Sequence, residues 1–174
     1  MTGYTAAGGP NMKILFVLRH AKSSWKDSTL QDFERPLNGR GRKAAELMGE
    51  YIRKQEIALD LVLSSPAVRA RETVELALKA AKLKVELRYD QRIYEAGPVR
   101  LLEVISQIED DKDSVLLVGH NPGLEELIQV LTGQQEKMTT ANLAKIVFGT
   151  TKWRKTLEKK GRLDWLVRPK EIED

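Results

Sequence analysis

Ile14-Leu15-Phe16-Val17-Leu18-Arg19-His20 is an unbroken apolar run that stops on a cation and an imidazole. A short continuous run of this kind reads as a strand buried on both faces, as in a parallel sheet. Outward from it the pattern alternates. Residues 38–55 carry Ala44, Ala45, Met48, Tyr51 and Ile52 at helical spacing. Residues 59–63 read as a second strand, and Ala70, Thr73, Val74, Ala77, Leu78 and Ala81 share one face of a second helix. Residues 85–87 form a weaker third strand, and Leu101, Leu102, Ile105 and Ile108 mark a third helix. Residues 115–118 are a strongly apolar strand, followed by helical Leu124, Leu127, Ile128 and Leu131. Residues 144–148 and 163–167 read as late strands. Strand and helix in alternation predict an α/β domain, a three-layer sandwich with a mostly parallel central sheet flanked by helices.

In open α/β sheets ligands bind beyond the carboxyl ends of the strands. Arg19 and His20 follow the first strand. Ser64-Ser65-Pro66 and then Arg69 follow the second. Arg92-Ile93-Tyr94-Glu95 follows the third, and Gly119-His120-Asn121-Pro122 follows the fourth. The chain has two histidines, and both fall at such ends. Guanidinium forks suit phosphate oxygens. Ser65 is expected to cap the second helix with Pro66 at its first position, which puts Arg69 in or near the first turn. A cation there is disfavoured by the helix dipole unless an anion sits between. Asn121-Pro122 is expected to repeat that cap. A neutral imidazole has a free lone pair that can attack phosphorus. Phosphoryl transfer needs positioning and charge neutralisation above all. His20 is therefore the candidate nucleophile, Arg19, Arg69 and His120 the phosphate holders, and Glu95 a proton donor. Lys22 lies close enough in sequence to touch phosphate. For Arg69 taken alone, the plainer reading is a surface ion pair with Glu72.

The rest of the composition narrows the field. At 174 residues, with 41% hydrophobic and 31% charged residues, the chain reads as one soluble domain. Residues 1–11 read as a flexible N-terminal extension and 12–170 as the domain. No apolar run is long enough for a membrane helix. Cysteine is absent, which removes thiolate chemistry and disulfides and fits a cytoplasmic setting. Two histidines with scattered carboxylates lack the short ligand spacing of known metal sites, so no metal is expected. Lys152, Arg154, Lys155, Lys159, Lys160 and Arg162 crowd one segment, read as a solvated basic face. No RNA-binding aromatic motif or zinc-finger spacing supports nucleic acid as a partner.

Leu18-Arg19-His20-Ala21-Lys22-Ser23-Ser24-Trp25 resembles the nucleophile motif of the histidine phosphatase superfamily, and more closely its SixA-type phosphohistidine phosphatase branch. Residues 32–41, Asp-Phe-Glu-Arg-Pro-Leu-Asn-Gly-Arg-Gly, are similar to the stretch leading into that family's first helix. Ser64-Ser65-Pro66-Ala67-Val68-Arg69 resembles its second-arginine motif, and Val118-Gly119-His120-Asn121-Pro122 its second-histidine motif. The resemblance implies a phosphoglycerate-mutase-like fold and transient phosphorylation of His20. It also implies a phosphate pocket of Arg19, Arg69 and His120, and no metal or organic cofactor. Ala21 stands where the family commonly has glycine. Short loops imply an open site suited to a phosphorylated protein. A small phosphorylated ester is the alternative substrate, and a binding module that only docks a phosphorylated partner is the non-enzymatic one. The sequence leaves the oligomeric state open.

Overall fold

In β1 (Lys13–Arg19), Leu15 and Val17 face one apolar cluster while Ile14, Phe16 and Leu18 face another. The computed structural model describes residues 12–173. β4 (Ser114–Gly119) repeats the alternation, with Val115 and Leu117 on the first face and Leu116 and Val118 on the second. Period-two alternation with both sets apolar forces cover on both faces.

That cover comes from helices. α1 (Gly39–Lys54) and α2 (Val68–Ala81) bring Met48, Ile52, Val74 and Leu78 to one face. α3 (Pro98–Ser106) and α4 (Gly123–Thr132) bring Leu101, Ile105, Leu127 and Ile128 to the other. Fully burying each such side chain stabilises by about 1.5–3 kcal/mol. The remaining strands are β2 (Leu61–Ser64), β3 (Leu87–Tyr89), β5 (Leu143–Phe148) and β6 (Arg162–Val167). A short helix, α5 (Pro169–Ile172), ends the described chain.

The six strands are ordered β3-β2-β4-β1-β5-β6. β1 through β4 run parallel; β5 pairs antiparallel with β1, and β6 pairs antiparallel with β5. The expected three-layer, mostly parallel sheet is what forms. β1 and β4 are neighbours in register, with Arg19 opposite Gly119. The chain leaves them in opposite directions across the sheet, so their carboxyl ends open a crevice. His20 and His120 are the next residues on those two strands.

Several local expectations are corrected. The third strand spans Leu87–Tyr89 rather than 85–87, because its pairing with Val62 to Ser64 sets its position. α2 begins at Val68 with Ala67 as its cap position, not at Pro66. Ser65 still accepts from the Ala67 amide at 3.2 Å, but its hydroxyl is shared with His120. Asn121 does not cap α4. Its amide nitrogen donates to Glu125 Oε1 at 2.8 Å and to the Met138 carbonyl at 2.7 Å. Glu72 pairs with Arg42, not Arg69. The extension expected over 1–11 lies outside the described residues.

Candidate active site

His20 is fixed from both sides. Its backbone amide donates to the Gly119 carbonyl at 3.1 Å, which ties it to β4. Its Nδ1 lies 2.7 Å from the Ala21 carbonyl. A carbonyl only accepts, so Nδ1 carries the proton and Nε2 keeps the lone pair. Ala21 is itself held, its amide donating to Thr73 Oγ1 at 2.9 Å. The His20 and His120 rings lie 5.1 Å apart, centroid to centroid. His120 Nε2 is 2.7 Å from Ser65 Oγ. With the serine hydroxyl donating its hydrogen bond to Nε2, the neutral ring carries its proton on Nδ1, which is buried and unpaired.

That Nδ1 has company. Among the described residues, the buried side-chain nitrogens and oxygens without a hydrogen-bond partner include Arg19 Nε, Arg35 Nε and Nη1, and Arg69 Nε. Each unsatisfied buried donor costs about 1–3 kcal/mol, more when charged. Several donors clustered around one imidazole make sense when an anion with several acceptor oxygens satisfies them together, and a phosphoryl group is such an anion.

Burial pushes the His20 imidazole down to about 4, the Ala21 contact opposes this, and the charges of Arg69, Arg19 and Arg35 add to the fall. His120 falls to about 3 through burial, then the charges of His20 and Arg69. Both rings are neutral at neutral pH, as a nucleophile must be.

Asp32 organises the cationic side. Arg69 donates from Nη1 to the Asp32 carbonyl at 2.7 Å and from Nη2 to its Oδ2 at 3.0 Å. Tyr94 donates its phenol to the same Oδ2 at 2.7 Å. Arg35 Nη2 lies 3.3 Å from Oδ1. Burial alone would raise the Asp32 carboxyl, but the hydrogen bonds from Tyr94 and Arg69 and the nearby cations outweigh it and hold it below its ordinary value. Burial, then the Asp32 hydrogen bond, pushes Tyr94 up to about 12, so the phenol stays protonated. The Tyr94 ring stands edge-on to His120, centroids 5.5 Å apart, and to Phe33 at 5.0 Å. On the far side Arg19 Nη1 donates to the Met138 carbonyl at 3.0 Å.

Close backbone approaches hold the two loops of the site. A Cβ at Gly41 would overlap the Lys22 carbonyl, so glycine lets α1 seat against the segment after His20. A Cβ at Gly123 would likewise overlap the Ala96 carbonyl. That contact sets the Tyr94–Ala96 turn on the start of α4.

Of the residues singled out from sequence, Arg19, His20, Arg69 and His120 gather at the crevice. Lys22 is exposed, and its loop is bound through its backbone carbonyl, which accepts from the Asn38 amide at 3.0 Å. Glu95 is exposed at φ 51°, and among the described residues no hydrogen bond or ion pair joins it to the other four. The structure adds Arg35, 8% exposed, with Asp32, Tyr94 and Ser65. Asp32 and Arg35 lie inside the family-like segment 32–41, but only loop closure reveals their contacts. Among the described residues no group of three or more His, Cys, Asp or Glu side chains is placed to hold a metal ion. None of their helices is long and apolar enough to cross a membrane.

Residues 15–99 match the family model of the histidine phosphatase superfamily, branch 1. A phosphohistidine phosphatase SixA homolog of Haemophilus influenzae is 30% identical over 152 residues, covering 79% of this chain and 90% of that one. The chain belongs to the histidine phosphatase superfamily. This histidine phosphatase is also 39% identical over 114 residues to an uncharacterized protein of Mycobacterium tuberculosis, covering 66% of this chain and 69% of the relative. Among solved structures it resembles one assigned to phosphohistidine phosphatase SixA of Agrobacterium tumefaciens. That match has 27% identity and a TM-score of 0.78, over 93% of this chain and 100% of the other.

Proposed function

We propose that this histidine phosphatase removes the phosphoryl group from phosphohistidine carried on a protein in the cytoplasm. In the first step the free ring nitrogen of the carrier phosphohistidine holds a proton taken from solvent, His20 Nε2 attacks phosphorus, and the bond from phosphorus to the carrier breaks so that a neutral imidazole leaves. In the second step water attacks the phosphoryl group on His20, releasing inorganic phosphate and the free imidazole. Arg19, Arg69 and Arg35 neutralise the equatorial oxygens throughout, and neutral His120 donates a hydrogen bond to them.

The observation that carries this reading is a nucleophile-ready imidazole among unpaired buried donors, with no carboxylic acid hydrogen-bonded beside them among the described residues. Asp32 is held ionised, Tyr94 holds its proton up to about 12, and both imidazoles are neutral. An alkoxide leaving group needs an enzyme acid. A carrier phosphohistidine takes its proton from solvent on the free ring nitrogen, which titrates near neutral pH, so it leaves as neutral imidazole and needs none. The relatives assigned to phosphohistidine phosphatase SixA support the same substrate class by analogy. Exposed Glu95 reaching in as a donor would instead favour small phosphate esters such as sugar phosphates or nucleotides.

The test is phosphate release from a phosphohistidine peptide and from a sugar phosphate, by wild type and His20→Ala. Release from the peptide alone, lost in His20→Ala, is expected. Preferential release from the sugar phosphate would overturn the substrate class, and equal release by both proteins would overturn the nucleophile. Phosphopeptide binding without turnover would point to a docking module.

A further inference from the structure

Trp25 is 78% exposed, so the core explains little of its presence. The Arg35 guanidinium carbon lies over the Trp25 ring, 3.4 Å from its centroid, a close cation–π contact. The two residues are brought opposite each other by a small ladder. Ser23 bridges Leu37 antiparallel, and the Ser24 amide donates to the Pro36 carbonyl at 2.7 Å. Arg35 beneath the indole is 8% exposed. Its Nη2 pairs with Asp32 Oδ1, while Nε and Nη1 are buried without partners.

Stacking uses the π faces of a guanidinium and leaves its N–H groups, which lie in the plane, free to donate. An unclamped arginine also loses considerable rotamer freedom when it orders on a ligand. We infer that Trp25 is a positioning residue: it clamps the Arg35 guanidinium so that its two unpaired donors are preset for the phosphoryl oxygens. The inference rests on the phosphoryl-pocket reading but not on which carrier brings the phosphoryl group. Trp25 contributes through Arg35, and the indole itself touches no reacting atom.

The experiment measures orthovanadate affinity by calorimetry, and kcat/KM on the phosphohistidine peptide, for five proteins. These are wild type, Trp25→Ala, Trp25→Phe, Arg35→Met and the double variant Trp25→Ala/Arg35→Met. Methionine keeps the buried stem of Arg35 and protects the fold. Trp25→Ala is expected to weaken orthovanadate about tenfold, the rotamer freedom that an unclamped arginine gives up when it orders on the ligand. Trp25→Phe should restore most of the affinity, and both Trp25 variants should keep a cooperative thermal transition, lowered by no more than the loss of one cation–π contact. In the Arg35→Met background, removing Trp25 should change nothing further. Wild-type affinity in Trp25→Ala overturns the assignment, as does a loss that persists undiminished beside Arg35→Met, which would mean direct contact with the ligand. Absence of orthovanadate binding in wild type overturns it as well. If orthovanadate follows the expected pattern while wild type leaves the phosphohistidine peptide intact, the substrate reading fails and the role of Trp25 stands.

Discussion

Acidification from pH 7 to pH 5 is expected to destabilise this protein through its two histidines. An unfolded imidazole titrates near about 6.5. In the fold, His20 is pushed down to about 4 and His120 to about 3, burial being the first cause in each. Between those values and 6.5 the unfolded chain binds protons that the folded chain refuses. Stability therefore rises with pH across this window. The penalty begins as pH falls below the unfolded value and levels off once pH passes the folded ones. At pH 5 the unfolded rings are almost fully protonated and the folded rings almost fully neutral. The loss between pH 7 and pH 5 is then roughly 2 kcal/mol per imidazole, a large share of a typical domain's stability of about 5–15 kcal/mol. Urea unfolding at both pH values measures it. Because there are two histidines in the whole chain, an imidazole NMR titration reads each midpoint separately. The same depression should carry the acid limb of kcat/KM well below 6.5 once the titration of the substrate phosphoryl group is allowed for. Either ring titrating near 6.5, or stability unchanged from pH 7 to pH 5, would refute the account of burial beside three guanidinium groups.

Arg69→Lys should lower kcat/KM by about a hundredfold, because one ammonium cannot hold both Asp32 oxygens and still offer a fork to phosphate; steady-state kinetics with the phosphohistidine peptide checks this. Asp32→Asn should cost about 1 kcal/mol in urea unfolding, the loss of charge-assisted bonds from Arg69 and Tyr94, discounted because the carboxylate is half exposed. Gly41→Ala should destabilise by roughly 1–3 kcal/mol, since its Cβ meets backbone at Lys22 rather than a yielding side chain. Glu95→Gln should leave turnover of the phosphohistidine peptide within about twofold, whereas loss of a true general acid would cost about a hundredfold or more.

The parallel core was legible because Ile14 to Leu18 and Val115 to Val118 are buried on both faces and so are apolar without interruption. The crevice followed from it, since strand ends are where such sheets bind ligands and both histidines stand there. The direction of β5 and β6 was not legible: an apolar run has the same pattern whichever way the strand runs. Ser65 looked like the cap of a helix starting at Pro66; its hydroxyl does accept from the Ala67 amide, but the helix starts at Val68 and the same hydroxyl is shared with His120. Asp32, Arg35 and Trp25 were hardest to place. They lie in a loop with no hydrophobic period, and only the ladder between Ser23 and Leu37 brings them together. Glu95 was singled out for following a strand, a signal that gives its place in the chain and not the direction of its side chain.

The central claim is covalent capture of the phosphoryl group on His20. Rapid quenching of the protein with phosphohistidine peptide, followed by peptide mass spectrometry under alkaline conditions, tests it most directly. A phosphoryl group on His20 that forms and decays at rates matching turnover is the expected result. Phosphate release at the wild-type rate with no phosphoryl group on His20, or with the label on another residue, would contradict it.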